Sequence, residues 1–390
     1  MILSISLYFI ILFLIWWAYC GYLFAIYLLS LFSDTEQDID GHEADMTVSI
    51  LVPCYNEENY VKRKVENLKA IAYPKDKLKI YFLDGTSTDS TVSMLRQEIQ
   101  GCDHMQVIDT GTKGKINQLN QAIHKLETDI IMNTDMDAML NPDVLAMMVK
   151  GFCSNPEATL IGACVYPDKS NSLDQQYWET QNWFRIIESR VISSSIVVAP
   201  CYAFRRGLIT AFPEDCVADD IYISFLNNTM GRKTIYLEGA LAYEGRNPAG
   251  IDQMITHKFR KANAYITELL RFLYLIPRME GKWKMIYLTK LLQVVVVPWL
   301  FLFFAMGSLS FLLSGPGTVQ IVVFSMTFLF VSFLACHFIV KKNVRTMKGN
   351  RYKKRFSASI FMLTNLILIL AGITYPFYIQ NSNYNKVKEV

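Results

Sequence analysis

Two aspartates one residue apart, Asp135 and Asp137, close an apolar run in IIMNTDMDAML, residues 130–140. Carboxylates that close repel each other, so they either sit in water or share a cation. Two carboxylates at the end of a strand suit one hard divalent ion, Mg2+ or Mn2+, which accepts carboxylate and phosphate oxygens and keeps positions open for substrate. The plain alternative is a solvated turn, where such pairs are common. Position favours the cation, because other polar residues follow apolar strands in the same way. Tyr55 and Glu57 come after TVSILVP, and Asp84 ends KLKIYFLD. A second acidic pair, Asp219 and Asp220 in VADDIYISF, precedes a helical pattern. Capping explains one acid in a first helical turn, and two exceed what a cap needs.

The elements around these residues set their geometry. TVSILVP, KLKIYFLD, MQVID and TDIIMNTD read as strands. EENYVKRKVENLKAI, TVSMLRQEI and GKINQLNQAIHKL read as helices between them. This alternation argues for a parallel sheet with helices on both faces. Ligands of such sheets lie off the carboxyl ends of the strands. The polar residues named above fall on that rim. No Gly-rich phosphate loop follows the first strand, which weakens a nucleotidyltransferase reading.

The rest of the chain is segregated. It has 390 residues, 52% of them hydrophobic, and a net charge of +3. Residues 3–32 carry no charge, and apolar runs recur at 291–313, 319–340 and 357–380. Each is long enough to cross a bilayer, which takes about 20 residues. The first lacks a basic n-region and exceeds a signal-peptide core, so an uncleaved anchor is expected. The segment 341–355 holds eight Lys and Arg, whereas the loop before the third run, SGPGT, has none. The positive-inside rule therefore puts 341–355 and the middle domain in the cytosol, with both termini outside. Arg278, Lys282 and Lys284 agree. Eight cysteines without a C-x-x-C pair, and five histidines without ligand spacing, point away from zinc and disulfides. The small net charge argues against nucleic acid as a partner.

LVPCYNEENYV, IYFLDGTSTDST, GKINQLNQAI and NTDMDAML, in this order, resemble the donor half of a family 2 glycosyltransferase. CYAFRRGLITAF and VADDIYISFLNNTMGRKTIYL resemble its acceptor half, so that 48–245 is covered. The flanking spans are similar to those of membrane-bound synthases of this family, such as hyaluronan and cellulose synthases. The resemblance implies an α/β GT-A domain with a Rossmann-like mixed sheet, a UDP-sugar donor and a divalent metal. It implies that Tyr55, Glu57 and Lys115 line the nucleotide pocket. Asp84 would accept from uracil, Asp135 would sit against the sugar-nucleotide, and Asp137 would ligate the metal. Asp220 would be the general base, with Asp219 beside it. The plain reading of Lys115 is a solvated lysine at a helix start.

Two departures matter. Ala218 and Asp219 stand where the family has Thr-Glu. His257 and Lys261 replace the Gln and Trp of Gln-x-x-Arg-Trp, leaving only Arg260, whose fork suits a phosphate. The stretch 257–278, with Leu269, Leu270, Phe272, Leu273 and Leu275, is expected in the membrane interface; an amphipathic core helix is the alternative. Aromatics in 175–190 are read as packing rather than a sugar platform. His337 is expected to be hydrogen-bonded within the bundle, an intramembrane functional role being the alternative.

The expected order is a transmembrane helix at 1–32, a GT-A domain at 45–250 and amphipathic helices at 251–284. Spans of 286–313, 319–340 and 357–380 follow within 285–380. The expected function is inverting transfer of a sugar from a UDP-sugar to a lipid or short glycan acceptor in the plasma or inner membrane, among membrane lipids. A processive, exporting polysaccharide synthase stays open. So does a membrane-anchored nucleotide-binding protein without transfer activity, which would have no use for Asp220. The sugar, the acceptor and the oligomeric state are not specified.

Overall fold

The computed structural model describes residues 2–33, 46–168, 172–246, 251–344 and 358–377. The chain divides into two compact units. One comprises 34–249 with 277–280 and 382–390; the other comprises 1–33, 250–276 and 281–381.

The first unit is built on a sheet. Strand β1 (Val48–Cys54) is buried along its whole length, as suits a parallel strand covered on both faces. Its side chains alternate between two cores. Val48, Ile50 and Val52 pack with Val61, Val65 and Leu68 of helix Glu58–Lys69 and with Leu145 and Val149 of helix Val144–Ser154. Leu51 packs with Leu119 and Ile123 of helix Lys115–Ile123 and with Ile223 of helix Asp219–Thr229. Strands β2 (Leu78–Asp84), β3 (Met105–Asp109) and β4 (Ile130–Asn133) complete a parallel run in the order β3-β2-β1-β4. Pro53 stands beyond Leu51, the last β1 residue paired with β4, so its missing N–H breaks no bond of that ladder.

A wholly parallel sheet, argued from alternation, does not form. Strands β5 (Ala138–Leu140), β6 (Ala158–Pro167), β7 (Tyr202–Arg205) and β8 (Lys233–Glu244) extend the sheet as β4-β7-β6-β8-β5. β7 is antiparallel to β4 and β6, β5 is antiparallel to β8, and only β6 and β8 pair parallel. The regular strand–helix alternation ends at β4. A tight turn at Asp135–Asp137 leads straight into three-residue β5, with no crossover helix; β5 goes to the far edge against β8, and the place beside β4 is taken by β7, which runs antiparallel to it. The mixed sheet implied by the family resemblance is therefore the one observed.

The second unit is helical. Three of its helical stretches are long and apolar enough to cross a membrane: Leu3–Ser30, Gly281–Ser314 and Pro316–Asn343. Polar contacts tie them together. The Tyr8 hydroxyl meets Ser308 Oγ at 3.0 Å, Trp16 Nε1 donates to Ser332 Oγ at 3.1 Å, and Trp17 Nε1 donates to Thr289 Oγ1 at 3.1 Å. Such bonds join helices where apolar burial cannot. Phe13, Leu302, Phe324 and Phe338 are exposed on outward surfaces. The expected fourth span corresponds to helix Ala358–Thr374, 17 residues long. Most of the basic segment 341–355 lies outside the described residues.

Helix Ile251–Arg271 also belongs to this unit. Leu269 and Phe272 are buried, Leu273 is exposed, and Thr267 Oγ1 meets the Tyr375 hydroxyl at 3.0 Å. Much of the apolar face expected at a membrane surface is thus covered by the chain itself. Helix Ser172–Val191 packs Ile186 and Trp178 against the sheet's core, the packing role read from its aromatics. His337 meets the Phe338 ring edge-on at 5.8 Å.

Gly162 on β6 marks a close contact of the sheet with Val197 and Tyr236. A Cβ there would lie 2.8 Å from Val197 Cγ1 and 3.1 Å from Tyr236 Cδ2. Overpacking of this kind costs about 1–3 kcal/mol. Gly162→Ala is expected to lower the thermal midpoint of the purified protein in detergent. An unchanged midpoint would show that Val197 yields without cost.

Candidate active site

The site forms where β1, β2 and β4 end. After β1, Asn56 takes a left-handed conformation, φ 52°. Its N–H donates to Ser87 Oγ at 2.9 Å, and its Oδ1 accepts from Thr88 N–H at 2.8 Å. These bonds lock the β1 and β2 loops together and fix Tyr55 and Glu57 at the rim. Lys113 stands 5.7 Å over the Tyr55 ring. Asp84 ends β2 with 4% exposure. Its Oδ2 accepts from Ser87 N–H at 3.1 Å, and its Oδ1 is buried with no hydrogen-bond partner among the described residues. A buried carboxylate oxygen without a donor is costly, and a ligand N–H would relieve it.

The two aspartates of the turn have different surroundings. Asp135 Oδ1 accepts from Lys115 Nζ at 2.8 Å, and the same ammonium lies 3.2 Å from Asp219 Oδ2. Lys115 is therefore a bridge between two acids rather than a solvated lysine. Burial pulls its pKa down, but Asp135 and Asp219 outweigh that and hold it above the ordinary lysine range. Helix Lys115–Ile123 is pinned in place by Gln118, whose Nε2 donates to the Cys54 carbonyl at 2.8 Å. Asp137 faces Arg246, whose Nε lies 3.7 Å from Asp137 Oδ2. The Arg246 guanidinium also bonds Glu57 and lies 5.1 Å over the Tyr60 ring. Burial, then Asp135, pushes the Asp137 carboxyl up to about 6, with Arg246 opposing and Glu244 and Glu57 adding to the rise.

This donor set fits a divalent cation of one kind. Asp135 and Asp137 share one turn, and Glu57 and Glu244 add further negative charge around Asp137, with Arg246 the cation that opposes it. Among the described residues no group of three or more His, Cys, Asp or Glu could hold a metal ion. An ion held here would take two protein carboxylates and complete its shell from water and substrate oxygens, the habit of Mg2+ and Mn2+ at phosphate sites.

Asp219 and Asp220 differ in the same way. Asp219 is buried and accepts from the Tyr202 hydroxyl at 2.7 Å and from Asn133 Nδ2 at 3.4 Å. Asp220 is half-buried; its Oδ2 accepts from Ala199 N–H at 2.9 Å and its Oδ1 from Ile221 N–H at 3.0 Å. Capping is therefore part of what Asp220 does and none of what the Asp219 contacts do.

The structure thus gathers Glu57, Asp137 and Arg246 in one cluster and Lys115, Asp135 and Asp219 in another, with Tyr55 and Asp84 on the adjoining loops. His257, Arg260 and Lys261 lie on helix Ile251–Arg271 of the other unit. There Arg260 Nη2 approaches His257 Nδ1 at 3.5 Å. Burial, then Lys261 and Arg260, pushes His257 down to about 3, so its ring is neutral at pH 7.

Three site residues escaped the sequence reading. Arg246 needs the β5–β8 pairing to come near Asp137. There Gly245 N–H donates to the Asp137 carbonyl at 3.1 Å, and a Cβ on Gly245 would lie 2.5 Å from that oxygen. Tyr202 looked like a core strand residue. Lys64 had a signal: Val61, Lys64, Val65 and Leu68 fall on one helical face, which buries a lysine among apolar residues.

Residues 49–211 match the family described as Glycosyl transferase family 2. The chain is 22% identical over 264 residues to an N-acetylglucosaminyltransferase of Sinorhizobium fredii, covering 62% of this chain and 63% of that relative. It is 23% identical over 339 residues to a poly-beta-1,6-N-acetyl-D-glucosamine synthase of Staphylococcus epidermidis, covering 83% and 80%. The match to the first of these thus spans less than two thirds of the relative's length. Among solved structures, a mannosyltransferase from Pyrobaculum calidifontis in complex with GDP-Man and Mn2+ superposes with a TM-score of 0.66 at 20% identity, covering 96% of this chain and 97% of that one. The mixed sheet is accordingly of the GT-A kind, and the chain carries a Glycosyl transferase family 2 domain at residues 49–211.

Proposed function

We propose that the protein transfers a sugar from a UDP-sugar to a membrane-associated acceptor with inversion at the anomeric carbon. The observation that carries this reading is the gathering of Asp84, Lys115, Asp135 and Asp137 on one sheet rim, where α/β sheets bind ligands. The buried Oδ1 of Asp84 suits the imide N–H of uracil. Tyr55 offers the nucleotide a ring face. Lys115 and Arg246 set positive charge beside the diphosphate. A divalent ion bound by Asp137 and Asp135 supplies Lewis-acid stabilisation of the leaving diphosphate. Asp220 takes the proton from the acceptor hydroxyl as that oxygen bonds to the anomeric carbon. The bond from that carbon to the diphosphate oxygen breaks, and UDP leaves with the electron pair. Asp219, already paired with Lys115 and Tyr202, orients the site instead of accepting that proton.

The relatives' names make UDP-N-acetylglucosamine the first donor to assay. A GDP-sugar is the alternative that the mannosyltransferase neighbour raises. The acceptor reading follows from the three membrane-length helices and from Lys261, which gives a sugar chain no aromatic floor to slide on. A lysine favours an anionic partner such as a phosphate, so one or few transfers to a lipid or short glycan are expected. A processive synthase is the second reading, favoured by the poly-N-acetylglucosamine synthase relative. In both, the basic segment 341–355 and the catalytic domain face the cytosol and both termini lie outside.

Purified protein in detergent, given UDP-sugars and Mn2+, is expected to release UDP and form a small product that partitions with lipid. A long glycosidase-sensitive polymer would decide for the processive reading, and no UDP release from any donor would reject transfer. Mn2+ competes with a proton at Asp137, so its apparent affinity is expected to fall about tenfold per pH unit below about 6. A flat profile from pH 5 to 7 would remove Asp137 from the metal site.

Asp220→Asn is expected to lower turnover by about 10²-fold or more with donor affinity nearly unchanged, because a base acts on the acceptor. Asp219→Asn is expected to weaken donor binding as well, since it frees Lys115. Equal small losses in both variants would leave Asp220 as a helix cap and favour a nucleotide-binding protein without transfer activity.

A further inference from the structure

Lys64 lies beneath the Asp135–Asp137 turn and has no exposed surface. Its Nζ donates to Thr134 Oγ1 at 2.9 Å and to the Ala138 carbonyl at 2.5 Å. These two residues bracket the turn. Thr134 Oγ1 in turn donates to the Pro200 carbonyl at 2.9 Å, and Ala138 N–H closes the turn on the Asp135 carbonyl at 3.2 Å. A buried ammonium is expensive, and a leucine or methionine would fill an apolar helix face at less cost. Neither of these hydrogen bonds is to a carboxylate. Burial pulls it down to about 8, against the pull of Cys201, Asp135 and Asp137, so it remains charged at neutral pH.

We propose that Lys64 is a positioning residue for the cation site: one buried ammonium ties the two ends of the turn and holds the Asp135 and Asp137 carboxylates within reach of the same divalent ion. The inference rests on the metal reading of that turn. Its charge also offsets part of the repulsion between the two acids. The turn therefore keeps its shape before the ion and the donor arrive. Groups that orient metal ligands without touching the metal typically change affinity by about 10–100-fold when removed.

The test uses the full chain in detergent and reads Mn2+ binding directly, by the loss of the free Mn2+ EPR signal in the presence of UDP. Lys64→Met is expected to weaken Mn2+ binding by at least about tenfold, while UDP binding without metal stays within a factor of about two. Thr134→Val removes one of the two acceptors and is expected to show a smaller loss in the same direction. Gly162→Ala serves as a control for general destabilisation and is expected to bind Mn2+ as wild type does. If both turn variants fold and bind Mn2+ like wild type, Lys64 is a core residue only and the proposal is wrong. If Lys64→Met does not fold, Thr134→Val decides alone, and wild-type affinity there overturns the proposal. If the wild-type protein itself binds no Mn2+ with UDP, the metal reading of the turn falls first and the role of Lys64 falls with it.

Discussion

The crowding of carboxylates at one rim of the sheet governs the rest of the site. Glu57, Asp84, Asp135, Asp137 and Asp219 all lie at or beside strand ends, and most are largely buried. Water does not screen such a cluster, so cations must. Two protein cations answer particular acids: Lys115 bridges Asp135 and Asp219, and Arg246 bridges Glu57 and Asp137. Lys64 holds the turn from below. Burial first, and then the Asp135 charge, nonetheless keep the Asp137 carboxyl raised against the pull of Arg246.

That crowding links fold to chemistry. The sheet changes from parallel to antiparallel at β4, which pairs with β1 on one side and β7 on the other, and the turn that leaves β4 carries the acidic pair. The antiparallel return of β8 brings Arg246 alongside it. On the proposed reading, a diphosphate and its ion would add both a cation and the oxygens that complete its shell.

The parts legible in the sequence were those with a clean period. Strands and helices up to Asn133 alternate at regular intervals, and each apolar run is bounded by turn residues, so β1 to β4 and the rim could be placed. After Asp135 the period fails. β5 has three residues, and ATLIGACVYP is apolar throughout, a pattern shared by buried strands and helices. Arg246 was invisible because nothing local marks it; its role comes from pairing across the sheet. Lys64 was visible in principle, as a lysine on the apolar stripe of VKRKVEN, but it is one of three consecutive basic residues, Lys62, Arg63 and Lys64, whose charges mask that stripe. The division between Asp219 and Asp220 depended on Tyr202 and Lys115, residues distant in sequence.

The central claim is that the two aspartates share a cation with the diphosphate of the donor. The most direct measurement is 31P ENDOR on Mn2+ bound to the protein with UDP, in wild type and in Asp137→Asn. The account predicts a strong 31P coupling from an Mn–O–P bond in wild type and loss of the protein-bound Mn2+ signal in the variant. UDP bound without Mn2+, or an unchanged coupling in Asp137→Asn, would contradict it.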